Sequence, residues 1–112
     1  MDTNYVPDRG DIVNVDFNPA LGHEQKGKRP ALILTVEKYN KFGLCYALPI
    51  TSKVKGFLTE VPLENTNKIS GVILTNHLRV LDWKERNIEF IEKASKEILN
   101  EVNMRLRTLL EL

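Results

Sequence analysis

Two short segments of this chain hold the side chains that can do chemistry. Residues 18–30 read Asn-Pro-Ala-Leu-Gly-His-Glu-Gln-Lys-Gly-Lys-Arg-Pro. They place a carboxylate (Glu24), an imidazole (His23) and three cations (Lys26, Lys28 and Arg29) within a few positions of one another. A guanidinium is planar and always charged, and it forks around two oxygens at once, which suits a phosphate. Histidine titrates near neutrality, where protons must be moved. The second segment, Pro49-Ile50-Thr51-Ser52-Lys53, sets two hydroxyls beside Lys53, with Lys55 close behind. Hydroxyls in such a place donate to phosphate oxygens or make local turn bonds. Taken singly, each segment also reads as a solvated basic turn. Taken together they describe a phosphate site, if the fold brings them to one place.

The charge pattern supports that grouping. The chain of 112 residues carries 16 Lys and Arg against 15 Asp and Glu, a net charge of +1. This excludes a protein that coats nucleic acid by bulk charge, but not a local basic site. Residues 21–59 hold seven basic and two acidic side chains, a net +5, and both flanks are acidic. The positive charge is therefore concentrated around the two candidate segments.

The elements that must position these residues are mostly strands. All five prolines and all six glycines lie in the first 71 residues. Between them run short apolar, often β-branched stretches at 12–17, 31–36, 44–50, 59–63 and 72–74. Strands at this spacing suggest a small sandwich or barrel. In the first stretch Val13, Val15 and Phe17 alternate with Asn14 and Asp16, the period of a half-buried strand. Pro30 opens the second stretch, and Pro62 inside the fourth suggests a sheet edge. Segment 18–30 is then a loop too long for a tight hairpin, of the kind that carries function. Pairing the second and third strands as a hairpin through residues 39–43 brings their far ends, and both candidate segments, together only if no long crossover intervenes. Past residue 95 the pattern changes: Ile98, Val102, Leu106 and Leu109, widened by Leu99 and Leu110, form a helical stripe with Ser95 as its N-cap. The apolar end of that stripe, with Leu112, suits core packing or a subunit contact.

Length and composition set the remaining bounds. Residues 1–112 are expected to form a single domain. No apolar run approaches the ~18 residues of a membrane span, and the polar start is not expected to act as a secretory signal. A single cysteine, Cys45, and two histidines leave no disulfide and no multi-Cys zinc site. The expected compartment is a reducing cytoplasm. Cys45 in an apolar strand reads as inert packing, and Trp83 as a core or interface aromatic. Phe17 and Tyr46 are candidates for stacking on bases, with the face of each left open.

In order and spacing, the residues resemble a known family. Residues 5–11 (Tyr-Val-Pro-Asp-Arg-Gly-Asp), 15–19 (Val-Asp-Phe-Asn-Pro), 22–25 (Gly-His-Glu-Gln) and 27–31 (Gly-Lys-Arg-Pro-Ala) resemble the MazF/PemK-like toxins of type II toxin–antitoxin systems. Pro49-Ile50-Thr51, Gly71-Val72-Ile73-Leu74 and Asn76-His77-Leu78-Arg79 continue the match over nearly the whole chain. The resemblance implies a compact SH3-like β-barrel with appended helices, usually a homodimer. It also implies an endoribonuclease that cuts single-stranded RNA, mainly mRNA, with no metal or other cofactor, and that a cognate antitoxin protein blocks. An acidic, disordered antitoxin tail would complement the basic middle of the chain.

The family's catalytic positions fall on Arg29, Thr51 and Glu24. RNA-binding roles are expected at His23, Lys26, Lys28, Ser52, Lys53, Lys55, Asn76, His77 and Arg79. Two departures stand out. Lys28 occupies a position that is often His in close relatives, and the PemK branch's Arg-x-Asp pair is replaced by Leu74 and Asn76. Activity is therefore expected to rest on Arg29 and Thr51. Arg29 is assigned as the phosphate clamp and a candidate acid, Thr51 as a hydroxyl donor to a non-bridging oxygen, and Glu24 as the candidate base. Two other readings share the fold: a CcdB-like toxin that binds and poisons DNA gyrase, and a non-catalytic RNA- or antitoxin-binding relative.

Overall fold

The computed structural model describes residues 4–18, 27–64 and 66–112. Among these, seven strands and two helices follow in the order β1 (Asp11–Asp16), β2 (Lys28–Ile33), α1 (Glu37–Asn40), β3 (Leu44–Thr51), β4 (Glu60–Pro62), β5 (Val72–Leu74), β6 (Arg79–Asp82), β7 (Glu89–Lys93) and α2 (Lys96–Leu110). Each pairing is antiparallel. The sheet runs β4-β5-β3-β2-β1-β7, with β6 on β3. Among the described residues its two ends do not pair, so the expected barrel holds only as a loose description. The edge strand β4 is three residues long and contains Pro62, which has no N–H to offer. It presents little edge for closure.

All five expected strands are present. The second lies three residues earlier than expected, so Pro30 falls inside β2, opposite Asn14. The β2–β3 ladder begins only at Ala31, one residue later. The sequence reading missed β6, β7 and the single-turn α1. β3 serves three partners along its length. Leu44 to Ala47 pair with β6, Ala47 to Pro49 with β2, and Ile50 and Thr51 with β5.

The central strands are buried on both faces, and period-2 alternation sorts their side chains into two cores. Val13, Val15, Phe17, Ala31, Ile33, Cys45, Ala47, Leu81 and Trp83 form the first. Ile12, Leu32, Leu48, Ile50, Val61 and Ile73 form the second, which α2 covers with Ala94, Ile98 and Val102. The Ser95 hydroxyl caps α2, accepting from the Ile98 N–H at 3.2 Å. Leu99 and Leu106 are partly buried against the second core, while Leu109, Leu110 and Leu112 remain exposed. Among the described residues no helix is long and apolar enough to cross a membrane.

A buried amide ties the first core to the chain's start. Asn40 is fully buried and donates Nδ2 to the Pro7 and Thr35 carbonyls, both at 2.7 Å. Its Oδ1 accepts from the Thr35 hydroxyl at 2.5 Å, and its backbone carbonyl accepts from Trp83 Nε1 at 2.7 Å. Asn40→Ala leaves the two carbonyls and the hydroxyl without this partner. The expected loss is about 2–3 kcal/mol of stability, read as a lower urea midpoint with an unchanged denaturant slope. An unchanged midpoint would show that the network contributes nothing.

Candidate active site

The β2–β3 register decides whether the two candidate segments meet. Ala31 pairs with Pro49. Arg29 lies two residues before Ala31 and Thr51 two after Pro49, so in this antiparallel pair both stand at the same end. Val15 pairs directly with Arg29. By alternation Arg29 shares the face of Ala31 and Ile33, and Thr51 that of Cys45 and Ala47. That face is the first core. β6 brings Arg79 opposite Ala47, in phase with Leu81. The Arg79 guanidinium carbon sits 5.5 Å from the centre of the Phe17 ring, a cation–π contact. The first core thus ends in a polar rim of Arg29, Thr51 and Arg79 next to buried Phe17.

Hydrogen bonding gives this rim a direction. Thr51 is 7% exposed, and its Oγ1 accepts from the Lys53 N–H at 3.1 Å. With that acceptor role taken, the hydroxyl proton is left to donate. Arg79 Nη1 is buried and has no hydrogen-bond partner among the described residues. Buried donors are rarely left unpaired, so an arriving oxygen would relieve a cost already present. Arg29 is half-buried; Lys28, Ser52, Lys53, Lys55 and Asn76 are exposed. His77 is half-buried and donates its backbone N–H to the Leu74 carbonyl at 3.2 Å. His23, Glu24 and Lys26 lie outside the described residues.

The base of the first loop is fastened to the sheet. The Phe17 N–H donates to the Gly27 carbonyl, and the Gly27 N–H to Asn18 Oδ1, each at 3.0 Å. Arg86 adds bonds from Nη1 to the carbonyls of Asp16, at 3.2 Å, and Asn18. This anchors the strand that carries Arg29.

The other candidates separate cleanly. Burial pushes the Cys45 thiol up to about 12, so it stays an unreactive packing group. Trp83 belongs to the first core. Tyr46 is exposed on the opposite face of β3, away from the rim, whereas Phe17 lies against it. Leu74 is buried in β5, opposite Glu60, so this chain uses that position for packing. Sequence reasoning placed Gly71 in the family match but gave it no role; its backbone lies against the Thr51 carbonyl.

Comparison with known proteins now bears on this geometry. The model of a family described as the PemK-like, MazF-like toxin of type II toxin-antitoxin system matches residues 8–110. The chain belongs to this family. Endoribonuclease toxin ChpB of Escherichia coli strain K12 is 40% identical over 111 residues, covering 93% of this chain and 94% of that protein. The crystal structure of MazF from Deinococcus radiodurans superposes with a TM-score of 0.93 at 44% identity, over 97% of this chain and all of that one. A MazE–MazF crystal structure from the same organism gives a TM-score of 0.86 at 40% identity, over 97% of this chain and 99% of that one. The PemK/MazF resemblance read from the sequence is therefore upheld, as is its mainly antiparallel β fold with a C-terminal helix.

Proposed function

We propose that this chain is the toxin of a type II toxin–antitoxin pair, a sequence-specific endoribonuclease that cuts single-stranded RNA, chiefly mRNA, without a metal. One observation carries the reading: Arg29 and Thr51 stand at the same end of the β2–β3 pair, in phase with one core face. Relatives named as endoribonuclease toxins support it.

The chemistry uses the ribose 2′-hydroxyl as an internal nucleophile. Its oxygen attacks the adjacent phosphorus and the bond to the 5′-oxygen breaks, giving a 2′,3′-cyclic phosphate and a 5′-hydroxyl. One proton leaves the 2′-oxygen and one reaches the departing 5′-oxygen. Between these events negative charge builds on the non-bridging oxygens. Arg29 clamps that charge with its forked guanidinium, and Thr51 donates its unspent proton to a non-bridging oxygen. Glu24 is assigned as the base that takes the 2′-proton, and Arg29 as the candidate acid that gives one to the departing 5′-oxygen. Arg79 offers Nη1 to a further RNA oxygen, while Lys28, Lys53 and Lys55 hold the flanking phosphates. Phe17 stiffens the rim by stacking under Arg79.

The partners follow from the same reading. An acidic antitoxin competes for the basic rim by charge complementarity; that a similar chain is solved as a MazE–MazF pair supports a protein partner. A second copy pairs through exposed apolar surface, of which Tyr46 and Val80, opposite each other on β3 and β6, and neighbouring Leu44 are candidates. The working compartment is the cytoplasm, where mRNA is found.

Purified protein mixed with single-stranded RNA in excess EDTA is expected to cut at defined short sequences. The products should carry cyclic-phosphate and 5′-hydroxyl ends. A chain that leaves every RNA intact, or that cuts only when a divalent metal is restored, overturns the reading.

A further inference from the structure

We propose that Glu60 is a positioning residue for the Thr51 hydroxyl, acting through the backbone of residues 52–56. The proposal rests on the nuclease reading above. Glu60 opens β4 and is 6% exposed, although the residues before it, 52–58, are all exposed. A carboxylate is not buried without compensation. Here backbone amides supply it. Oε1 accepts from the Gly56 N–H at 2.9 Å and the Lys55 N–H at 3.2 Å, and Oε2 accepts from the Lys55 N–H at 3.2 Å.

The segment these bonds hold begins at Thr51. Its near end is fixed where Thr51 pairs with Val72. Its far end is fixed from α2, where Arg105 donates to the Leu58 carbonyl and, at 3.3 Å, to the Glu60 carbonyl. Glu101 in turn holds Arg105 at 2.9 Å. Between these ends the chain reverses at Gly56, whose φ is +81°. Exposed side chains give it no packing, so the Glu60 carboxylate is the fastening at the middle.

Two residues upstream of Lys55, the Lys53 N–H is the donor that occupies Thr51 Oγ1. Releasing the Lys55–Gly56 turn frees Lys53 to swing away. The Thr51 hydroxyl then turns its proton toward a local carbonyl instead of the substrate. Glu60 thus acts on the reaction through Thr51, without touching RNA.

A double-mutant cycle on single-turnover RNA cleavage tests this. Glu60→Gln keeps the shape but turns one acceptor into an N–H₂ facing backbone donors. In the Thr51 background it is expected to slow cleavage by about 10- to 100-fold, the scale of a misplaced catalytic group. In a Thr51→Val background the same change should cost less than about twofold, since no hydroxyl remains to be oriented. Amide hydrogen exchange at Lys55 and Gly56 should accelerate in the variant. Glu60→Asp, which retracts the charge by one methylene, should show the same background dependence and stands in if the Gln variant does not fold. An equal loss in both backgrounds, or no loss in either, overturns the role of Glu60 while leaving the nuclease intact. A wild-type protein that cuts no RNA overturns the nuclease reading, and this proposal with it.

Discussion

Arg29→Ala is expected to remove about 10²- to 10³-fold of RNA cleavage, the typical worth of one donor aimed at developing charge, while the protein stays folded. Arg29 sits in β2 with Val15 as its ladder partner. Its backbone bonds do not depend on the side chain, and the neighbouring core residues Ala31 and Ile33 are untouched. Arg29→Lys keeps the charge but loses the fork that grips two oxygens, so it should recover a small part of the rate. Single-turnover cleavage with thermal melts of both variants makes the measurement. A variant with wild-type rates would mean that Arg79, already beside Phe17 with a buried nitrogen unpaired among the described residues, is the principal clamp. A variant that unfolds would mean that the guanidinium is structural.

The comparison between sequence and structure separates local from distant causes. β1, β3 and β5 were legible because apolar residues alternate or run together between glycines and prolines, and α2 because Ser95 and a four-three spacing mark its start and face. β7 was not legible. As Glu-Phe-Ile-Glu-Lys it is half exposed, and its polar residues follow no period. Helix α1 is a single turn, too short to show periodicity. Openness of the sheet depends on whether β4 and β7 meet, which no local pattern encodes. In the site, Arg29 and Thr51 could be named from their motifs. Their convergence was conditional on a strand register that only the fold supplies. The Arg79–Phe17 stack joins residues far apart in the chain. Glu60 looked like any charge within a short edge strand, because its burial is produced by a loop folding back over it.

The steric role of Gly71 leads to the second large effect. Gly71→Ala is expected to lower stability by about 2–4 kcal/mol, in the upper range for single substitutions, and to slow cutting by the folded remainder about 100-fold. At φ +123° the residue occupies a conformation that side chains resist. A methyl group there would overlap the Thr51 carbonyl oxygen and stand 2.9 Å from its carbonyl carbon and 3.2 Å from Ser52 Cα. These are backbone atoms, so no rotamer change relieves the clash. Either β5 peels away from β3, which breaks the pairs of Thr51 with Val72 and Ile50 with Ile73, or Thr51 moves. The second outcome moves the hydroxyl directly, and the first removes the strand pairing that holds Thr51 in place. Gly43→Ala separates strain from clash: its φ of +115° is similar, but a methyl group there meets nothing within 4 Å. That variant should lose stability through backbone strain alone and keep its cutting rate per folded molecule. If Gly71→Ala matches it in both measurements, the close approach of β5 does not set the position of Thr51.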